Sequence, residues 1–85
     1  MLLLQAIQEY INDNHPEWKA SINQDSILLI QHKKFLKSPI WIYFYQNPPR
    51  LNSTQITGQE TSKDTITTYT EGNVFQIITD IINDT

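Results

Sequence analysis

The chain has 85 residues, a net charge of −3 and 39% hydrophobic residues, which predicts a single domain over residues 1–85 with one core. It contains no cysteine, so disulfide bonds, thiolate metal sites and a cysteine nucleophile are excluded. The mild acidity argues against a general duplex nucleic-acid binder, whose affinity rests on many phosphate contacts.

A helix is predicted over residues 2–14. Leu3, Ile7 and Ile11 fall at the spacing of one helical face. The helix should end before Pro16, because the residue that precedes a proline is pushed out of the α region. No segment approaches the roughly 20 apolar residues that span a bilayer, and the first residues lack a signal-peptide pattern. We therefore expect a cytoplasmic protein without membrane contact.

Three strands are predicted next, at residues 17–23, 27–32 and 40–46. The first alternates apolar and polar residues, and a turn of Asn, Gln, Asp and Ser joins it to the second, which indicates a hairpin. A basic connection at 33–39 leads to the third strand.

The remaining elements are a polar segment, a fourth strand and a helix. Residues 51–64, rich in Thr, Ser and Gln, suggest a loop with a short edge strand near 55–58. Residues 65–70 are β-rich by propensity. Asn73 and Gln76 resemble a capping box before a final amphipathic helix. The predicted fold is therefore α+β, an antiparallel sheet of three to four strands with the N-terminal and C-terminal helices packed on it.

The third strand is apolar on both faces. Its side chains alternate, so Trp41, Tyr43 and Tyr45 share the face opposite Ile40, Ile42 and Phe44. Three interpretations of the aromatics remain open. They belong to a core or second layer, they form a self-association or protein-binding face, or they stack single-stranded bases. In the third case the phosphates would be taken by the flanking cations Lys33, Lys34, Lys37 and Arg50.

Acidic charge gathers in the second part of the chain. Residues 51–85 carry one lysine and five acidic residues, a balance of −4. Asp80 and Asp84 fall four apart on the final helix, where like charges are slightly unfavourable. A solvated helix face is the first interpretation of this pair. The second is that a basic partner protein binds near these two carboxylates, and it is the interpretation carried into the predicted binding residues.

No catalytic, cofactor or metal site is predicted. His15 and His32 fall in different elements, and neither has the Asp, Glu or His spacing of a metal site. We expect His15 at a helix end and His32 at the wet end of a strand. The serines lie outside any nucleophile elbow, and two glycines are too few for the usual phosphate loops. We therefore expect a protein that is not an enzyme.

These features together favour a small protein-binding module that acts as a stoichiometric regulator or inhibitor. Ile, Asn, Gln, Thr and Tyr are plentiful, which is typical of an AT-rich genome, and a phage or mobile-element protein of anti-defence or immunity type falls within this class by analogy. Two alternatives stay open, a single-stranded nucleic-acid binder and a structural homodimer module.

Overall fold

The computed structural model describes the backbone of residues 2–57 and 61–85, and the side chains of 2–56 and 64–85. Within this part of the chain, one helix precedes and one helix follows an antiparallel meander of five strands. The strands pair in chain order, β1-β2-β3-β4-β5. The α+β prediction is confirmed, with five strands rather than three or four. The elements are α1 Leu2–Asn14, β1 Trp18–Asn23, β2 Ile27–His32, β3 Ile40–Gln46, β4 Pro49–Thr57, β5 Thr61–Thr68 and α2 Val74–Asn83.

Both helices lie on one side of the sheet. Leu4, Ile7 and Ile11 of α1 are fully buried in a core shared with Val74, Ile78 and Ile82 of α2 and with the inward side chains of the sheet. The two helices also contact each other. The Tyr10 and Thr79 hydroxyls share a 2.9 Å hydrogen bond, and the Tyr10 ring lies edge-on to Phe75 at 5.2 Å. One side of the sheet is thus closed by the chain's own helices.

The structure settles which face of β3 the helices cover. Ile40, Ile42 and Phe44 are buried in the core beneath the helices. Since neighbouring side chains of a strand alternate, Trp41 and Tyr43 lie on the opposite side of the sheet. That side is called the open face below, because neither helix lies on it.

The predicted loop at residues 51–64 is wrong over most of its length. Residues 49–57 form β4, which pairs with β3 on one side and β5 on the other, and β5 begins at residue 61 rather than 65. Residues 58–60, which include the end of the predicted edge strand, lie outside the described residues. The polar composition indicated a loop because β4 buries few apolar groups. Leu51, Ser53 and Gln55 face the core, and its neighbours supply the ladder hydrogen bonds.

The predicted capping box of α2 does not form. Asn73 is the N-cap residue but makes no side-chain cap hydrogen bond. Its Oδ1 instead accepts from the Thr70 backbone N–H at 2.7 Å, and the Gln76 amide donates to Asp80 at 2.9 Å. The Asn73 side chain therefore closes the turn before the helix, which competes with capping the helix itself.

Candidate protein-binding face

A row of aromatic side chains crosses the middle of the open face. Trp41, Tyr43 and Tyr45 lie along β3, the central strand of the described sheet. Trp41 and Tyr43 are half-buried by their neighbours, and Tyr45 is 43% exposed. The structure places these rings on the side of the sheet that the helices leave uncovered.

Aliphatic side chains lie beside the aromatic row on β2, and others lie farther out on β4 and β5. Leu29 lies opposite Trp41 and Ile27 lies opposite Tyr43 in the β2–β3 register. On the other side, Ile66 of β5 is 71% exposed, and Ile56 of β4 is also exposed. Because side chains directly opposite each other in adjacent strands are in contact range, Ile27 and Leu29 form one apolar surface with the aromatic row. Ile66 is separated from Tyr43 by the side chain of Asn52.

Arg50 contacts the last ring of the aromatic row, Tyr45. It lies opposite Tyr45 in the β3–β4 register, and its guanidinium carbon lies 4.5 Å from the centre of the Tyr45 ring. It also donates to the Pro48 carbonyl at 3.4 Å. The cation is thus positioned on the ring by a cation–π contact, so a phosphate would have to compete with or share that contact.

Asn52 lies between the aromatic row and β5. It is opposite Tyr43 on one side and Ile66 on the other. Its Oδ1 is buried and has no hydrogen-bond partner. A buried acceptor left without a partner costs about 1–3 kcal/mol, so this position is poorly optimised for the stability of the free chain.

Charged groups of the open face sit mainly toward its edges. Lys19 lies on β1, the strand at one edge. Asp64 lies on β5 at the other edge and accepts a hydrogen bond from the Thr54 hydroxyl. The surroundings of Trp41 and Tyr43 therefore carry no charge and are largely aromatic and aliphatic, with Asn52 and Thr54 as polar neighbours on β4. Depletion of charge is typical of the buried centre of protein interfaces.

Asp80 and Asp84 do not join the aromatic row. Asp80 lies on α2, on the other side of the sheet, and Asp84 follows at the C-cap of that helix. Both line an open groove of about 530 Å³ between α2 and strands β4 and β5. The five residues predicted to bind a partner therefore belong to two separate surfaces, three on the open face and two on the helix side.

The predicted lysine cluster and Arg50 lie at opposite ends of β3. Lys33, Lys34 and Lys37 belong to the connection that precedes Ile40, while Arg50 pairs near the other end, with Tyr45. All three lysines are exposed. The predicted phosphate contacts thus lie beyond the two ends of the aromatic row, with three lysines near one end and Arg50 near the other.

His32 differs from the prediction of a wet strand end. The side chain is only 5% exposed and lies edge-on to Trp18 at 5.1 Å. Its Nδ1 accepts from the backbone N–H groups of Lys34 at 3.2 Å and Leu36 at 3.4 Å. His32 therefore holds the backbone of the connection between β2 and β3, which carries the three lysines. The alternation of Leu28, Ile30 and His32 on one strand face was the signal that could have found it.

His15 follows α1, as predicted, and donates its backbone N–H to the Ile11 carbonyl at 2.8 Å. Among the described residues, no three His, Asp or Glu side chains are grouped to hold a metal ion. In the same part of the chain, the helices are too short or too polar to cross a bilayer. No family model matches the sequence, and no curated protein or solved structure shows a significant match to it.

Proposed function

We propose that this chain is a protein-binding module that docks its open face onto an apolar surface of another protein. The observation that carries the proposal is the aromatic row of Trp41, Tyr43 and Tyr45 at the centre of a sheet side that bears neither helix. Trp and Tyr are the residues that most often dominate binding energy in protein interfaces. Apolar patches of this kind on a soluble domain usually mark a contact surface.

The size of the open face supports this function. A standard interface covers about 800 Å² on each partner, which is roughly one seventh of the 5513 Å² accessible surface. Five strands spaced about 4.8 Å apart and about six residues long form a face of roughly 24 by 20 Å before side-chain relief is added. The projected area of this face is therefore roughly 480 Å², which side-chain relief enlarges toward the area of a small interface.

The charge distribution supports an apolar partner surface with a polar margin. The uncharged centre would be buried, and Lys19 and Asp64 would remain at the rim, where charges affect association rate more than affinity. Such docking would make the protein a stoichiometric regulator or inhibitor that acts by occupying a surface of its target. An origin in a phage or mobile element stays part of this proposal.

The first test is the solution mass of the wild-type chain, measured by light scattering across a concentration series. A mass near twice 10.0 kDa means that a second copy closes the open face, which is the homodimer alternative. A mass near 10.0 kDa leaves the face available for a different protein, and affinity capture from the lysate of the source cell follows.

The variant that decides the test is Trp41→Ser/Tyr43→Ser, compared with Leu2→Ser as a matched control. Leu2 is exposed and apolar but lies on α1, away from the open face. Loss of two central anchors, each worth about 2 kcal/mol or more, should abolish dimerisation or capture, and Leu2→Ser should leave it unchanged. Equal binding by both variants would remove the open face from the proposal.

A single-stranded nucleic-acid binder remains the second candidate. It is favoured by the partly exposed rings of the aromatic row, with exposed lysines beyond one end and Arg50 near the other. Stacking contributes about 1–3 kcal/mol for each base, and phosphate contacts make the affinity fall steeply with salt. Titration with single-stranded oligonucleotides at low salt decides it, since no binding under that condition would exclude this candidate.

A further inference from the structure

The connection between β2 and β3 presents an apolar pair between lysines. Phe35 is 85% exposed and Leu36 is 75% exposed. Lys33 and Lys34 precede the pair, Lys37 follows it, and residues 33–39 contain no acidic side chain. Neither Phe35 nor Leu36 belongs to the core, so packing within the fold does not account for them. Residues 33–37 are called the lysine tip below.

The backbone of the lysine tip is held in place by the fold. Phe35 has a φ of +56°, a left-handed conformation that is uncommon for a residue other than glycine. Its N–H donates to the His32 carbonyl at 3.1 Å, and the Lys33 N–H donates to the Glu17 carbonyl at 2.9 Å. With the two bonds to His32 Nδ1, four successive backbone N–H groups, from 33 to 36, are engaged. The tip is therefore ordered before any partner arrives, which lowers the entropic cost of binding.

We propose that the lysine tip docks on an anionic lipid surface. Phe35 and Leu36 enter the boundary between headgroups and acyl chains, and the three lysines lie against the lipid phosphates. Apolar insertion and cationic attraction are the two terms that hold a peripheral protein on a membrane. The acidic group at the base of the tip is Glu17, whose carboxylate lies 4.0 Å from Nε2 of His32. The interaction is separate from the proposed docking of the open face.

Area and chemistry favour lipid over the other anionic partners. Phe35 and Leu36 together offer far less than the roughly 800 Å² that a standard protein interface needs on each side. Single-stranded nucleic acid would stack on Phe35 but would gain little from the aliphatic Leu36. A lipid surface accommodates both side chains without a complementary shape. The sequence-based expectation of no membrane contact rested on the absence of a spanning segment, whereas surface docking needs only a short exposed tip.

The test is co-sedimentation of the full chain with vesicles of mixed phosphatidylglycerol and phosphatidylcholine, and with pure phosphatidylcholine vesicles, at low salt. Wild type should bind the anionic vesicles and not the neutral ones. Each lysine changed to glutamine should weaken binding about fivefold. Phe35→Asn/Leu36→Ser should weaken it more than tenfold, since apolar burial is lost. Asparagine tolerates the left-handed conformation at position 35, so this variant keeps the backbone.

The matched control lies on α1, away from both the lysine tip and the open face. Leu2→Ser removes another exposed aliphatic group, and it should bind the anionic vesicles like wild type. Three outcomes would overturn the proposal. These are no binding of wild type to anionic vesicles, undiminished binding by Phe35→Asn/Leu36→Ser, and release of the protein from the vesicles by a single-stranded oligonucleotide or an acidic peptide at low concentration.

Discussion

The side-chain amide of Asn12 bonds both backbone polar groups of Ala20. The Ala20 N–H donates to Asn12 Oδ1 at 2.9 Å, and Asn12 Nδ2 donates to the Ala20 carbonyl at 3.4 Å. Gln8 Nε2 donates to the same carbonyl at 3.2 Å. Ala20 is in β1, an edge strand, and an edge with free N–H and C=O groups invites pairing with another chain. Side chains of α1 thus provide hydrogen-bond partners for the backbone N–H and carbonyl of Ala20 at the outer edge of β1.

We expect Asn12→Ala to lower the free energy of unfolding by about 1–2 kcal/mol, because the Ala20 N–H loses its acceptor. Gln8→Ala should cost less, since Asn12 still serves the carbonyl. Asn12→Asp keeps an acceptor for the N–H and should fall between wild type and Asn12→Ala. Urea denaturation of the three variants checks this order, and equal midpoints would show that the edge contact adds nothing to stability.

His32→Phe should destabilise the fold by about 1–3 kcal/mol. Phenylalanine retains an aromatic ring against Trp18. However, the backbone N–H groups of Lys34 and Leu36 lose their acceptor, the Nδ1 atom of His32. His15→Phe is the matched control, because the half-buried His15 ring has Tyr10 as its ring neighbour and no role in the connection. Thermal denaturation should show a loss for His32→Phe and little change for His15→Phe. The opposite order would contradict this account of the connection.

The two tryptophans should respond differently to truncation. Trp18 is 4% exposed within the core, so Trp18→Ala should cost about 3–5 kcal/mol. Trp41 is half-buried on the open face, and Trp41→Ala should cost clearly less in the monomer. Chemical denaturation at low protein concentration measures both. A loss for Trp41→Ala as large as that for Trp18→Ala would mean that the open face is covered in solution.

Asn52→Val should raise the free energy of unfolding by about 1 kcal/mol. The change removes an unpartnered buried oxygen and introduces a β-branched residue in a strand. Asn23→Val changes an exposed asparagine of β1 and should have little effect. Denaturation midpoints compare the two variants. Asn52→Val could be more stable and yet no longer bind the partner protein of the open face. In that case the asparagine is retained for binding, a known trade-off between stability and function.

Alkaline pH should destabilise the fold partly through Tyr69. Burial raises the pKa of the Tyr69 phenol above its usual value of 10.0, because the charged form is poorly solvated there. The unfolded chain therefore loses this proton first, so stability is complete below about pH 10 and falls as the pH rises through the folded-state pKa. Tyr69→Phe keeps the ring that lies edge-on to Phe44 at 5.8 Å. Its stability should fall less steeply above pH 10 than that of wild type, and identical slopes would contradict this prediction.

Local patterns predicted most of the elements. The spacing of Leu3, Ile7 and Ile11 predicted α1 over the residues where it occurs. Alternation predicted β1, and a run of four apolar residues predicted β2, each within one residue of the observed bounds. These patterns succeed because helical and strand periods are properties of neighbouring residues. The same alternation also predicted that Ile42 and Trp41 point to opposite sides of β3.

β4 could not be predicted in this way. Among the described side chains of β4, Leu51 is the fully buried aliphatic one, and polar Ser53 and Gln55 occupy the next two inward positions. The strand exists because β3 and β5 pair with its backbone on both sides. Such pairing is a long-range property of the chain, so a segment without strong local alternation was taken for a loop.

The sequence by itself determined the α+β class, the two helices and an aromatic row on one face of a central strand, since each follows from local periodicity. The tertiary structure alone decided that the helices cover the Ile42 face, that Asp80 and Asp84 lie away from Trp41, and that His32 is buried beneath the lysine tip. These relationships depend on which non-local surfaces pack together, and packing is decided by the whole chain burying its apolar area at once.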